Sequence, residues 1–381
     1  MNHVIFFDHN STTPLLREAY EAMSPYFYDQ FYNPGNTSQI PLENINRAAE
    51  NARETISNLI NGSDGKIIFT SSASEANNTA IKQKKYELII TSPIEHPSVL
   101  NPVNYRQNNG TEIFFLKIDD FGRIDIDNLE NLLKSAENKK KLVTIQYVNQ
   151  VIHTIQPVMQ ISSLCQKYNA DYHIDAAQAF GRINLDLNEL KADMITISAH
   201  KCYGPKGIGA LWIRNRILNN DFESFIHGGH QEYGYRAGSL NIPGIIGFSK
   251  ACEIVLSNLD ERNKKVHEIT NHLYLNLSKA VNDIKLNGHP ENRISGGLHF
   301  SIYGVDMRSI ITSIPDIIVS TGMACNGYDT DPVLGALNRS SESRFSMRLQ
   351  LGFENTIEEV NYFIDVISKK IAHSRKFWGD L

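Results

Sequence analysis

Between residues 66 and 213, short β-rich runs alternate with longer stretches of helical composition. That alternation constrains the fold more than any other feature of the chain. The runs are KIIFT from Lys66, ELIIT from Glu87, EIFFL from Glu112, KLVTIQYV from Lys141, DYHID from Asp171, MITIS from Met194 and GALWI from Gly209. Several are continuously apolar, so both faces of the sheet they form must be covered, as helices cover a parallel sheet. Strands separated by helices pair in parallel. The spacing therefore predicts an α/β fold with a mostly parallel, seven-stranded sheet flanked by helices. Upstream, residues 41–60 place Ile45, Ala48, Ala49, Ala52, Ile56, Leu59 and Ile60 on one helical stripe, and Asn61-Gly62 is a stop signal.

Beyond about residue 241 the pattern changes. One long amphipathic helix is expected over roughly 248–281, then strands near 298–302 and 347–351, and a closing helix from about Ile357. The expected organisation is a large α/β domain over residues 1–245 and a smaller α+β domain over 246–381, on which the N-terminal segment is a candidate to pack. A chain of 381 residues suits that plan.

Charge and cysteine usage narrow the class. With 37 Lys+Arg against 42 Asp+Glu, the net charge of −5 leaves no basic footprint for nucleic acid or an anionic membrane. No apolar run reaches the ~18 residues of a membrane helix, and MNHVIFFDHNSTTP lacks the form of a signal peptide. The four cysteines are widely spaced with no C-x-x-C pair, as expected of a cytoplasmic enzyme with neither a disulfide framework nor structural zinc. HEITNH, from His267, misses the i, i+4 spacing of a zinc helix, and His227 and His230 have no evident carboxylate or thiolate partner. No metal is expected.

Four segments carry chemistry. In FTSSASEANN, from Phe69, the S-x-x-E of Ser72–Glu75 opens a helix, either as a plain cap or as an N-terminus that receives a phosphate. In YHIDAAQAFG, Asp175 ends an apolar strand, where it either caps a helix or holds a protonated ring nitrogen. In TISAHKCYGPKGIGALW, Lys201 follows a buried strand, where a lysine loses its proton readily and can form a Schiff base with a carbonyl cofactor. The GPKGIG run precedes a strand and opens no helix, which excludes a dinucleotide loop. In IVSTGMACNGYDTDP, Cys325 lies in a polar stretch expected to be a loop, either as a small buried hydrophobe or as a nucleophile.

Taken in order, FFDHNSTTP, YNP, SSASEANN, IEHPSVL, IDAAQAFG, SAHKCYGPKGIGALW, HGGHQEYGYRAGSLNIP, STGMAC and MRLQLGF resemble the cysteine desulfurases. These are fold type I pyridoxal 5'-phosphate enzymes of the class-V aminotransferase group, and the resemblance spans nearly the whole chain. It implies that Lys201 carries the cofactor, that Asp175 partners its ring nitrogen and that His96 stacks on the ring, where it is also the expected proton donor or acceptor for the substrate thiol. It further implies that Gln178 bonds the phenolic oxygen, and that Ala73, Ser74, Ser198 and His200 hold the phosphate. Ser239 matches the residue that reaches the phosphate of a neighbouring subunit, which implies a homodimer with shared active sites. Cys325 matches the nucleophile that receives sulfur as a persulfide and passes it to an acceptor protein.

Two departures touch the substrate end. Gln150 stands where the family usually has the second Asn of an Asn-Asn-Glu run, the residue that contacts the cofactor oxygen and the substrate carboxylate. Phe353 stands where the family's Leu-Gly-Arg places the arginine that clamps the substrate carboxylate. Arg348 matches another family arginine and is the nearest substitute in sequence. The expected activity is desulfuration of cysteine, or a related thiol amine, to alanine. The alternatives are a lyase, epimerase or transaminase acting on another amine with the same cofactor, and a non-catalytic sulfur-relay scaffold.

Overall fold

The computed structural model describes residues 4–34, 39–218, 221–321 and 330–378. Strand β1 (Ile5–Phe6) opens the chain, and the seven runs form β2 (Gly65–Thr70), β3 (Leu88–Thr91), β4 (Glu112–Phe115), β5 (Lys141–Gln146), β6 (Asp171–Asp175), β7 (Met194–Ser198) and β8 (Gly209–Arg214). They assemble into one seven-stranded sheet in the order β2-β8-β7-β6-β5-β3-β4. Pairing is parallel from β7 to β4, whereas β8 is antiparallel to both β7 and β2. The central strands β3, β5, β6 and β7 are buried along their length; β4, an edge strand, exposes Phe114 and Phe115. Because β2, β3, β5, β6 and β7 run the same way, their carboxyl ends share one edge. In sheets of this type that edge is where ligands gather.

Helix Ile40–Leu59 buries Ile45, Ala49, Ala52 and Ile56, the stripe expected from sequence. It stops because Asn61 adopts a left-handed φ of 54°, which lets the Gly62 N–H reach back to the Ser57 carbonyl at 2.8 Å. Gly62 itself allows a close approach, since a Cβ there would lie 2.6 Å from Trp212 Nε1.

The single helix expected over roughly 248–281 is two helices, Ile242–Ser257 and Leu259–Ala280, bent by 71°. The cause is that they serve different cores. Ile245, Phe248, Cys252 and Val255 of the first pack with the large sheet, whereas Val266, Ile269, Leu273 and Leu277 of the second pack elsewhere. Asn258 leaves the helical region at the junction, with φ −124° and ψ 25°. The second core is built on β9 (Ile284–Leu286), β10 (Gly297–Ile302) and β12 (Ser346–Gln350), an antiparallel sheet in the order β12-β10-β9. The closing helix Ile357–Trp378 covers it through Val360, Phe363 and Ile367. Between β10 and β12 lies β11 (Ile317–Ile318), which pairs in parallel with β1. Ile5 and Phe7 thus join the second core although they begin the chain.

Candidate active site

The carboxyl edge of the large sheet borders a cavity of about 800 Å³ that is also lined by Arg348 of β12 and by residues 330–333. Strand β7 ends at Ser198, and one 3-10 turn, Ala199–Lys201, then sets Lys201 on the cavity wall. Its Nζ donates to the Asn10 carbonyl at 2.7 Å. Burial, Arg182 and Arg348 oppose its charge more strongly than Asp175 and Asp8 favour it, and the ammonium pKa falls to about 7. A lysine so placed is a base and a nucleophile near neutral pH.

Asp175 ends β6 and takes no helix-capping role. Its Oδ2 accepts from Asn77 Nδ2 at 2.8 Å and its Oδ1 from the Ala177 N–H at 2.9 Å. His96 caps helix Pro97–Asn108 and faces the same cavity. Burial, more than the nearby Lys201, lowers its pKa against the opposing pull of Asp175.

On the same cavity the S-x-x-E pattern caps helix Ala73–Lys82. Ser72 Oγ accepts from the Glu75 N–H at 3.3 Å, while the Glu75 carboxylate accepts from the Ser71 N–H and from Arg236. Ala73 and Ser74 in the first turn, with Ser198 and His200, line the wall. Ser198 Oγ is buried without a hydrogen-bond partner. Burial, assisted by Lys201, Lys206 and Arg182, lowers the His200 pKa to about 4. Gly209 lets β8 approach this helix, because a Cβ there would lie 2.8 Å from Ser72 C and 3.0 Å from Ala73 N. A pocket with first-turn N–H groups and an unpartnered buried hydroxyl fits a phosphate.

Gln178 also lies on the wall, donating to the Asn10 carbonyl at 3.1 Å and accepting from Arg182 at 2.8 Å. Gln150 lines the cavity with its Oε1 unpartnered, and its carbonyl accepts from Asn10 Nδ2 and Arg348 Nη1. Arg348 donates through Nη2 to Asp8 Oδ1 at 3.0 Å, and its buried Nε has no partner. A guanidinium with an unused donor at the cavity wall suits a carboxylate.

Phe353 does not join the site. Its ring packs 4.3 Å from that of Tyr203 and lies under the Arg262 guanidinium at 4.0 Å, away from the cavity lining. The turn after β12 directs the residue into the seam between the two cores, which is why sequence spacing misplaces it. Ser239 is exposed and likewise off the cavity wall. Cys325 lies outside the described residues.

Several site groups carried no sequence signal of their own. Asn10 receives both Lys201 and Gln178 through its backbone carbonyl, an interaction blind to residue type. Glu95 is buried on the wall, where burial and Asp175 push its carboxyl well above the usual range against a hydrogen bond from the Gln146 N–H. Asp331 caps helix Pro332–Ala336 through Oδ1 and leaves Oδ2 buried without a partner.

A parallel sheet whose carboxyl edge gathers a low-pKa lysine, a carboxylate and a helix N-terminus around one cavity defines an α/β enzyme. The chain belongs to the class-V aminotransferase family, whose profile matches residues 5–363. It is 37% identical over 386 residues to "Cysteine desulfurase IscS" of Dictyoglomus turgidum, covering 98% of this chain and 96% of that protein. The IscS cysteine desulfurase of Clostridium botulinum is 33% identical over 396 residues, covering 100% of this chain and 98% of that protein. Among solved structures, a NifS-like protein superposes with a TM-score of 0.88 at 30% identity, covering 97% of this chain and all of that one. A structure described as SspA in complex with cysteine gives a TM-score of 0.80 at 29% identity, over 92% of this chain and 100% of that chain. The architecture is that of fold type I pyridoxal-phosphate enzymes, and the donor set of the cavity fits that cofactor.

Proposed function

We propose that this chain is a pyridoxal 5'-phosphate-dependent cysteine desulfurase. The observation that carries the reading is Lys201, with a pKa of about 7, sharing one cavity with Asp175 and Arg348. The cofactor, when bound, supplies an electron sink for bonds at the amino-acid Cα. Lys201 would hold it, Asp175 would keep its ring nitrogen protonated, and Gln178 would bond its phenolic oxygen. Ala73, Ser74, Ser198 and His200 would hold its phosphate. Lys201 Nζ, with its pKa near neutral, would be the base that takes the Cα proton of the bound substrate. Arg348, with Gln150 beside it, binds the substrate carboxylate, the task that Phe353 cannot perform.

Cys325 is the proposed sulfur acceptor. Its thiolate attacks the substrate sulfur, an S–S bond forms as the Cβ–S bond breaks with its electron pair left on the carbon side, and protons return to Cβ and to Cα to give alanine. The persulfide then passes to an acceptor protein.

The working unit is a homodimer with shared sites. In support, Tyr20, Phe27, Tyr28, Phe31 and Ile40 present exposed aromatic and aliphatic surface near the N-terminus, and Ser239 is free of its own cavity. The reading includes a cytoplasmic location and the division into residues 1–245 and 246–381, with the N-terminal strand on the smaller unit. Among the described residues no single helix is long and apolar enough to cross a membrane.

The deciding experiment incubates the cofactor-loaded protein with cysteine and scores alanine and persulfide on Cys325. Absence of both refutes the proposal.

A further inference from the structure

His96 is held by the helix it begins. A neutral imidazole has one donor and one acceptor nitrogen, and which is which follows from its partners. The Ser98 backbone N–H, which can only donate, points at His96 Nδ1 from 3.1 Å. Ser98 Oγ lies 2.8 Å from the same nitrogen. That hydroxyl already accepts from Asn77 Nδ2 at 2.8 Å, so its own proton is free to point at Nδ1. The other proton of the Asn77 amide goes to Asp175 Oδ2 at 2.8 Å. Turning this amide over would set its carbonyl against the Asp175 carboxylate, so the direction of the chain is fixed. Donors from Ser98 thus converge on Nδ1, and Nε2 must carry the hydrogen.

Resting on the desulfurase reading, we infer that His96 acts as a neutral hydrogen-bond donor through Nε2 and does not serve as the base for the substrate thiol. The first-turn N–H groups of helix Pro97–Asn108 disfavour a proton on Nδ1, because it would face their positive end. Desolvation and Lys201 act in the same direction, against Asp175, and on balance the His96 pKa falls. With Nδ1 occupied by donors and Nε2 already protonated, neither nitrogen is free to take a proton from the cavity. Nε2–H steers a lone pair of the bound molecule, and substrate protons go to Lys201, the low-pKa basic side chain on the same wall.

Two measurements test this. The first is two-bond 15N–1H correlation on the cofactor-loaded, histidine-labelled protein near neutral pH, with His96 assigned from the signals lost in His96→Gln. The expected pattern is a protonated Nε2 and an unprotonated Nδ1; an Nδ1–H tautomer or an imidazolium overturns the inference. The second compares kcat for alanine formation in His96→Gln and His96→Ala. A glutamine amide can donate but cannot act as a base. Donation therefore predicts that His96→Gln is at least about tenfold faster than His96→Ala, the value of one donor to a charged partner. Equal loss in both variants, of the 10²–10⁴-fold order of a missing general base, overturns it. The expected tautomer in a protein that makes no alanine from cysteine would refute the desulfurase reading and leave the tautomer lock standing.

Discussion

At the scale of single residues, Lys201 and Arg348 separate two electrostatic tasks. Lys201 loses charge because its surroundings oppose it, which ties folding stability to pH. Its folded pKa, about 7, lies below the ordinary 10.5. Between those values the unfolded chain binds more protons than the folded one, so stability rises with pH across that window. Below 7 both states are protonated and the burial penalty is complete. Urea unfolding of the cofactor-free protein should show this rise, at most about 1.4 kcal/mol per pH unit, and Lys201→Met should remove it. Arg348, in contrast, keeps a donor for an incoming carboxylate. Arg348→Ala should raise KM for cysteine about 10- to 100-fold in steady-state assays. Spacing alone sets Phe353 at the position of the family's carboxylate-clamping arginine and so predicts that Phe353→Arg improves turnover of free cysteine. With Phe353 between Tyr203 and Arg262, that substitution should leave KM unchanged and lower stability, since it sets two guanidinium groups together.

Among elements, the helix Ile40–Leu59, strand β2 and the segment leading to Ser239 meet at one buried ion pair. Arg53 donates to both Glu232 oxygens at 2.8 Å, and Glu232 also accepts from the Phe69 N–H at 2.7 Å. Glu232 sits at a left-handed φ of 47°, a strained position for a non-glycine residue that these contacts maintain. Removing one partner strands a buried charge, so Arg53→Ala should cost about 3–5 kcal/mol in urea unfolding. Arg53→Met combined with Glu232→Leu should recover part of that loss. Neither residue announces itself in sequence, because they lie 179 positions apart and each resembles a surface charge.

For the whole molecule, the exposed aromatic surface near the N-terminus makes an oligomer prediction. Tyr28 is 83% exposed, with Phe27 and Phe31 beside it in sequence. Light scattering of the cofactor-loaded protein should report twice the 43.0 kDa chain mass. Tyr28→Glu with Phe31→Glu should shift it toward the monomer and weaken cofactor retention, since Ser239 serves the neighbouring site in the proposed dimer. A monomeric wild type that retains the cofactor would remove the basis for shared sites.

Local pattern set much of this architecture. Seven apolar runs became seven strands because continuous burial and helical connections leave a parallel sheet few alternatives. Lys201 and Asp175 were legible because each follows or ends an apolar strand, whereas His96 and Gln178 were read only through the family resemblance; all four line the cavity at the sheet edge. What tertiary structure decided involves contacts that no periodicity encodes. The break at Asn258 exists because two cores lie on either side of it, whereas the amphipathic pattern runs through it. The pKa of Lys201 depends on Arg182 and Arg348, and the hydrogen on His96 depends on Asn77, each remote in sequence. Arg348 reaches the cavity and Phe353 does not because β12 belongs to the second core and turns away at Gly352. Sequence determined which residue types were available at the sheet edge; packing of the two cores decided which side chains meet there and in what charge state, because burial and neighbouring charges are properties of the assembled fold.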